Sequence, residues 1–490
     1  MKLYLIGHDY RYAAEQILLM LFPDERPEYP EAPESGDGAV LTLRRGGTYA
    51  TVACRLTRGG AVYHGRAAVK TAALTDDVTA DRLLSRAVKR SFYRAALAAG
   101  VEKPVWGALT GVRPGKLMAG LLADGCSDAA AVRTFQQDFD VSPERAKLCL
   151  QTSHATMAAK ASLEPRDVCL YVGIPFCPTR CAYCSFVSQS VEKSMALIAP
   201  FFDALLREVR ATAAVVNGLG LRVVSLYVGG GTPTTLSAQQ LDALFRALEA
   251  EFDLSALRES TVEAGRPDTI QADKLEILRL HGVGRISVNP QTMDDRVLEA
   301  IGRRHTAQAI RDALALTREA GGFAVNMDLI AGLPSDTAAG FCRSIDAVLA
   351  LRPENITVHT LSRKKGSYLT EHGGALPDAA AVGQMLDYAG QALTAAGYAP
   401  YYLYRQKFMS GGFENVGWTL PGFENLYNIC IMEELCSIIA MGGGASTKLV
   451  GGGKIRRAFD PKYPQEYIAN IDRICENKQI IRAFYEGKTE

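Results

Sequence analysis

Residues 172–186 read VGIPFCPTRCAYCSF and gather Cys177, Cys181 and Cys184 into a short loop behind an apolar run. Thiolates spaced C-x3-C-x2-C suit three corners of a cuboidal [4Fe-4S] cluster, leaving the fourth iron without a nearby protein ligand and open for chemistry. A structural zinc site and a set of buried small side chains are the bland alternatives, since cysteine is among the most buried residue types. Zinc ribbons, however, use paired C-x2-C knuckles with four ligands, and the chain has no second knuckle.

Outward from that loop the chain takes up a strand and helix rhythm. Apolar runs predict strands over 168–173, 223–228, 260–263, 285–289, 325–330 and 355–360. Between them, segments 239–252, 274–281, 307–320 and 341–351 repeat apolar residues at three and four, the spacing of amphipathic helices. Six such units predict an α/β fold: a parallel sheet with right-handed crossovers, closed or partly closed as an incomplete (β/α)6 barrel over 166–400. Residues 1–165 read as an N-terminal α/β accessory domain, with strands at 2–6, 40–43, 49–56 and 61–69, an exposed proline-rich linker over 23–38, and helices from about Thr79. Residues 401–490 form a C-terminal extension whose last forty residues read as a helix and a charged tail.

Barrels of this kind build their active sites from loops at the carboxyl ends of the strands. The suggestive residues fall there: Cys177 after the first strand, the run Gly229-Gly230-Gly231-Thr232-Pro233 after the second, Glu263 at the end of the third, Gln291 after the fourth and His359 near the end of the sixth. The glycines permit a close backbone approach to a ligand, although a plain turn would use them too. Asp328 lies within the fifth strand, where a buried carboxylate without a partner is costly and a ligand would remove the difficulty. His359 reads either as an acid or base facing a substrate or as a hydrogen-bonded core histidine. The stretch 106–116 resembles a phosphate loop and fails as one, because three residues separate Gly111 from Gly115 and Leu117 follows Lys116.

Composition narrows the classes. Lys and Arg number 54 against 53 Asp and Glu in 490 residues, a formal charge of +1 that argues for neither nucleic acid nor an anionic membrane as partner. Eleven cysteines without a framework of spacings fit a reducing compartment, and the apolar stretches at the amino terminus and over 196–219 are interrupted by charges. A cytoplasmic protein without a membrane span is expected.

The loop resembles that of radical S-adenosylmethionine (SAM) enzymes, and Tyr171-Val-Gly-Ile-Pro-Phe-Cys177 with Ala182-Tyr183-Cys184 resembles the oxygen-independent coproporphyrinogen III oxidase group among them. The layout, including 106–116, Asn289-Pro290-Gln291 and Tyr427-Asn428, is most similar to the HemZ-type coproporphyrinogen dehydrogenases. The resemblance implies a [4Fe-4S] cluster on Cys177, Cys181 and Cys184 and SAM chelated to its open iron, cleaved on reduction to a 5'-deoxyadenosyl radical. It implies SAM contacts from Tyr171, Tyr183, Gly230, Gly231, Thr232, Glu263, Gln291, Arg303 and Asp328, with Arg304 an alternative to Arg303.

Three behaviours occur in the group: oxidative decarboxylation of coproporphyrinogen III propionates to vinyl groups in anaerobic heme biosynthesis, SAM-dependent opening of the heme ring, and heme chaperoning. The first is expected here. The sequence departs from the best-understood decarboxylases, which carry a histidine where Gly173 stands and a cysteine where Phe186 stands. It also departs from the chaperones, whose H-N-x-x-Y-W appears as Tyr427-Asn428-Ile-Cys-Ile-Met432. A tetrapyrrole substrate and a low-potential electron donor such as flavodoxin or ferredoxin are the implied partners. Arg363, Lys364 and Lys365 follow the sixth strand and are the candidate cations for the propionates, the alternative being a solvated charge run.

Overall fold

A computed structural model describes residues 1–31, 36–111, 113–184, 189–362, 367–372, 375–406 and 410–487. Chain contacts divide it into one unit of Met1–Pro114, Gly120–Leu150 and Arg405–Phe408, and a second of Gly115–Ala119, Gln151–Tyr404 and Met409–Glu490.

In the first unit, strands β1 (Lys2–Ile6), β2 (Gly38–Arg45), β3 (Tyr49–Arg58) and β4 (Ala61–Lys70) form one sheet in that order. β1 runs parallel to β2, and β2, β3 and β4 are antiparallel. Alternate residues of β3, namely Ala50, Val52, Cys54 and Leu56, are buried, the period expected of a half-buried strand. They share a core with Ile17 and Leu18 of α1 (Arg11–Leu21) and Leu84, Val88 and Phe92 of α2 (Asp77–Ala98). Asp76 caps α2, accepting from the Thr79 amide at 2.9 Å. Trp106 is fully buried, so 106–116 begins as packed structure.

In the second unit the apolar runs become β5 (Asp167–Ile174), β6 (Arg222–Gly230), β7 (Glu259–Glu263), β8 (Arg285–Ser287), β9 (Ala324–Ala331) and β10 (Asn355–Thr360). Each lies parallel beside the next. Helices α3 (Ile198–Gly218), α4 (Ala238–Glu251), α5 (Ala272–Leu280), α6 (Ala307–Ala320) and α7 (Ala338–Leu351) make the five crossovers, so the expected incomplete (β/α)6 barrel is present and the sheet is open. Local chemistry sets the helix starts. Ser237 and Gln240 form a reciprocal capping box on α4, and Thr306 and Thr337 cap α6 and α7. β8 stops at Ser287, short of the expected 289, and Pro290, which has no amide to donate, follows three residues on.

The carboxyl-terminal part extends the same sheet on both sides. After α8 (Ala379–Ala395), β11 (Ala399–Arg405) and β12 (Glu414–Thr419) follow, β12 antiparallel to β10. Helix α9 (Leu426–Glu433) leads to β13 (Ser437–Gly442), which pairs parallel with β5 on the side away from β6. β14 (Ser446–Gly451) and β15 (Lys454–Phe459) complete the order β11-β12-β10-β9-β8-β7-β6-β5-β13-β14-β15. The expectation of a helix across the last forty residues is thus corrected. Turn residues Gly452 and Gly453, both at positive φ, close a hairpin there, and three short helices follow over Pro464–Ala469, Ile471–Asn477 and Gln479–Tyr485. Among the described residues no helix is long and apolar enough to cross a membrane.

Candidate cofactor and substrate site

The cysteine loop leaves β5 at Ile174. Ala182 donates its amide to the Ile301 carbonyl at 2.9 Å and accepts from the Leu369 amide at 2.9 Å, pinning the middle of the loop. Cys181 is buried and Cys177 and Cys184 are half-buried. Side chains address the sulfurs: the Thr232 hydroxyl lies 3.5 Å from Cys177 Sγ, and Arg266 Nη1 lies 3.5 Å from Cys181 Sγ. Arg266 is itself only 3% exposed, and its Nη2 donates to Thr179 Oγ1 at 2.8 Å within the same loop. Hydrogen bonds to cluster-bearing sulfurs are one of the means by which a protein sets a cluster's potential.

The glycine run at the end of β6 fits against this loop. The amides of Gly231 and Thr232 donate to the carbonyls of Ile174 and Phe176, both at 2.7 Å. A Cβ on Gly231 would stand 2.5 Å from the Phe176 oxygen and 3.0 Å from Cys177 Sγ, so a side chain there would collide with the loop. A Cβ on Gly229 would stand 3.0 Å from the Glu263 carboxyl and 2.9 Å from the Tyr227 ring, so that glycine lets Glu263 lie across the strand end.

Strand register places two kinds of residue on the two sheet faces. Leu170, Val172, Leu226, Val228, Val262, Ile286, Met327, Leu329, Ile356 and Val358 alternate onto one face and are all buried. The other face carries Tyr171, Tyr227, Glu259, Glu263, Arg285, Asn326, Asp328, Thr357 and His359. Glu263 accepts from the Tyr227 hydroxyl at 2.6 Å. Burial drives its pKa up against the lowering effect of that hydrogen bond, and the Asp328 charge adds to the rise, leaving it at about 7. Asp328 behaves oppositely. Burial would raise it, but His359 and the Asn326 amide, at 3.8 Å and 2.8 Å from its two oxygens, outweigh burial and hold it below the usual carboxylate range.

Gln291 takes φ of 66°, a left-handed conformation uncommon outside glycine. Its backbone amide donates to the Asp328 carbonyl at 2.8 Å and its carbonyl accepts from Ile330 at 2.9 Å, while its buried Oε1 has no partner among the described residues. Of the two adjacent arginines, Arg303 is buried, donates to the Asn289 carbonyl at 2.6 Å and interacts with Tyr183 and Cys181, whereas Arg304 is exposed. Tyr171 lies beside the stacked pair of Tyr227 and Tyr427, at centroid distances of 6.2 Å and 6.1 Å respectively. Arg363, Lys364 and Lys365 lie outside the described residues.

The sequence pattern of the radical SAM superfamily matches residues 171–348. The oxygen-independent coproporphyrinogen-III oxidase-like protein HemZ of Bacillus subtilis is 39% identical over 393 residues, covering 79% of this chain and 78% of that protein. The chain belongs to the radical SAM family of HemZ. The heme chaperone HemW of Escherichia coli is 27% identical over 315 residues, 64% of this chain and 78% of HemW. The solved structure of coproporphyrinogen III oxidase HemN from Escherichia coli, a radical SAM enzyme, shares the fold, with a TM-score of 0.51 at 24% identity over 68% of this chain and 78% of that one.

Radical SAM proteins use a [4Fe-4S] cluster and SAM, and the residues present fit both. The loop offers three thiols, Gly231 leaves room where any Cβ would intrude, and the orphaned Gln291 amide oxygen lacks the donor that a ligand would bring. Sequence reasoning missed Arg266 and His305. His305 is nine-tenths buried with both ring nitrogens unpartnered among the described residues, and burial with the nearby guanidiniums of Arg303 and Arg266 drives its pKa down to about 3. The signal for Arg266 was available in its place, directly after the Glu263 strand end. That for His305 was obscured by the charged run 303–304, which reads as solvated.

Proposed function

We propose that this chain is a radical SAM oxidoreductase acting on a tetrapyrrole, and that its reaction is oxidative decarboxylation of the propionates of coproporphyrinogen III. Two of the four propionates would each lose a hydrogen atom, from the carbon beta to the carboxylate, to the 5'-deoxyadenosyl radical, then carbon dioxide, with one electron passing to a terminal acceptor that the reaction requires, and become vinyl groups. The observation that carries the reading is the cradle at Gly231, where backbone is pressed against the sulfur of Cys177 so closely that only glycine fits. The 39% identity to HemZ, an oxygen-independent coproporphyrinogen-III oxidase-like protein, supports a tetrapyrrole as the substrate.

In this reading Cys177, Cys181 and Cys184 hold the cluster, while Tyr171, Tyr183, Gly230, Gly231, Thr232, Glu263, Gln291, Arg303 and Asp328 surround SAM. Bound and reduced, the pair supplies a radical able to take hydrogen from an unactivated carbon. Glu263 and Asp328 offer negative charge to a cationic ligand. Because Glu263 titrates near neutrality, an arriving ammonium would draw it into the carboxylate form, strengthening the contact on binding. His359, paired with Asp328, is the candidate acid or base toward substrate. Arg363, Lys364 and Lys365 follow β10 in the sequence and are the candidate cations for the propionate anions.

The heme carrier is the competing reading, given the HemW relatives. Tyr427, standing where the chaperones carry histidine, is only 4% exposed and its ring lies 4.3 Å from that of Tyr227, which supports the enzyme instead. The test is anaerobic incubation of reconstituted protein with SAM, a reductant and either coproporphyrinogen III or heme. Vinyl products with 5'-deoxyadenosine are expected from coproporphyrinogen III. Ring-opened heme, or tight heme binding with no stimulated SAM cleavage, would overturn the assignment.

A further inference from the structure

Besides the loop cysteines, the second unit holds another group of three. Cys169 lies on β5, Cys430 on α9, and Cys436 immediately before β13. Their sulfurs all lie within 4.8 Å of one another, and the Cys169 and Cys436 sulfurs are 3.7 Å apart. All three side chains are buried, at 0%, 0% and 7% exposure, in a core with Val224, Leu426, Tyr427 and Ile438. The backbone is shaped to bring them together. Glu434, which follows α9, is in the left-handed conformation, φ 57°, which turns the chain so that Cys436 comes back toward Cys430, and the pairing of Ile438 with Cys169 adds the third thiol.

Buried cysteine is commonly a small hydrophobe, and one or two would need no other account. Three converging sulfurs are different. At 3.7 Å the Cys169–Cys436 pair is not a disulfide, which needs about 2.05 Å, and all three cysteines are free. A cuboidal cluster puts each thiolate on a different iron, pointing away from the others, so sulfurs this close would share a single ion. Two thiolates on one tetrahedral ion with bonds of about 2.3 Å stand about 3.8 Å apart, nearly the spacing already present.

We propose that Cys169, Cys430 and Cys436 bind one thiophilic cation of closed d shell, Cu+ or Zn2+, tying α9 and β13 to the first barrel strand. The ion is soft because the donors are thiolates in an apolar core, and no fourth histidine, cysteine, aspartate or glutamate joins the group among the described residues. Three-coordinate Cu+ suits that donor set as it stands, and Zn2+ would complete its shell with a fourth donor such as water.

The test uses the full chain with Cys177→Ala, Cys181→Ala and Cys184→Ala, which removes the loop thiols and makes the outcome independent of the radical SAM assignment. Anaerobic titration with Cu+ and, separately, Zn2+ against a chromophoric chelator should show one equivalent of one of them retained. X-ray absorption at the metal edge should show three sulfur neighbours. Adding Cys436→Ser or Cys430→Ser should weaken binding by more than the roughly 10–100-fold expected for loss of an outer-shell partner. Retention of neither ion by the folded triple variant overturns the proposal, as does binding unchanged in both serine variants. Should those variants fail to fold, the absorption spectrum of the triple variant decides, and a shell of nitrogen and oxygen in place of three sulfurs overturns it.

Discussion

On one face of β5–β10 lie Leu170, Leu226, Ile286, Met327 and Ile356, and on the other lie Tyr171, Tyr227, Glu263, Asp328 and His359. The backbone that carries both sets is the same, and only the parity of the residue differs. The apolar face needs no partner beyond neighbouring hydrocarbon, so its residues are interchangeable in kind. The polar face is built from specific pairs, such as Tyr227 with Glu263 and Asn326 with Asp328, and it still leaves the Gln291 oxygen unsatisfied. Stability should therefore reside on one face and chemistry on the other, an expectation that substitutions can break.

The largest effect is expected at the loop above the polar face. Cys181→Ala should abolish the visible absorption of the reconstituted cluster and reduce SAM cleavage to background, with little change in urea unfolding; retained cleavage would place the cluster on other ligands. On the apolar face, Leu226→Ala should cost roughly 2–5 kcal/mol in unfolding free energy while SAM binding per folded molecule stays unchanged. If binding falls in step with stability, the two faces are not separable.

Gly231→Ala adds a Cβ 3.0 Å from Cys177 Sγ, and a displacement of that order should lower kcat/KM about a hundredfold, read as the rate of 5'-deoxyadenosine formation. Activity within a few-fold of the parent would show that nothing lies in the cradle. The smallest effect concerns Glu263. Its folded pKa of about 7 exceeds the ordinary 4.5, so the folded protein holds this proton more tightly than the unfolded chain does. The stabilisation is full below 4.5 and is lost as pH rises through about 7. After screening at a half-buried side chain the loss amounts to on the order of 1–2 kcal/mol. Glu263→Gln should flatten that part of the stability profile in cofactor-free protein. Parallel profiles for parent and variant would mean that the carboxyl is better solvated than its surroundings imply.

The local signals were legible. β10 runs over Asn355–Thr360 and α6 over Ala307–Ala320, as read from the sequence, because a clean apolar pattern is bounded by Pro353 before one and by Thr306 and Gly321 around the other. β13 was not drawn. Its SIIAMG is short and buried on both faces, and the strand that makes it one, β5, is remote in sequence. The site divides similarly. The cysteine loop and the glycine run announce themselves by spacing, whereas Arg266 beside Cys181 is a tertiary contact between loops of different strands. The role of Glu259 was equally hidden: its two oxygens accept from the amides of Leu426 and Tyr427 at 3.0 Å and 2.7 Å and so fix the start of a helix far down the chain.

The pairing of β13 with β5 also imposes a timetable. The first barrel strand, paired on one edge with β6 in the finished fold, has its other edge bare during synthesis until residues Ser437–Gly442 have been made. That is roughly 270 residues later, and at about 5–20 residues per second the wait is some tens of seconds. For that interval the nascent barrel carries an open, apolar edge beside its own cysteine loop, the kind of template to which a stray strand can add. A ribosome stalled within that interval would hold a chain that already has all three loop cysteines and lacks the strand that closes the edge beside them.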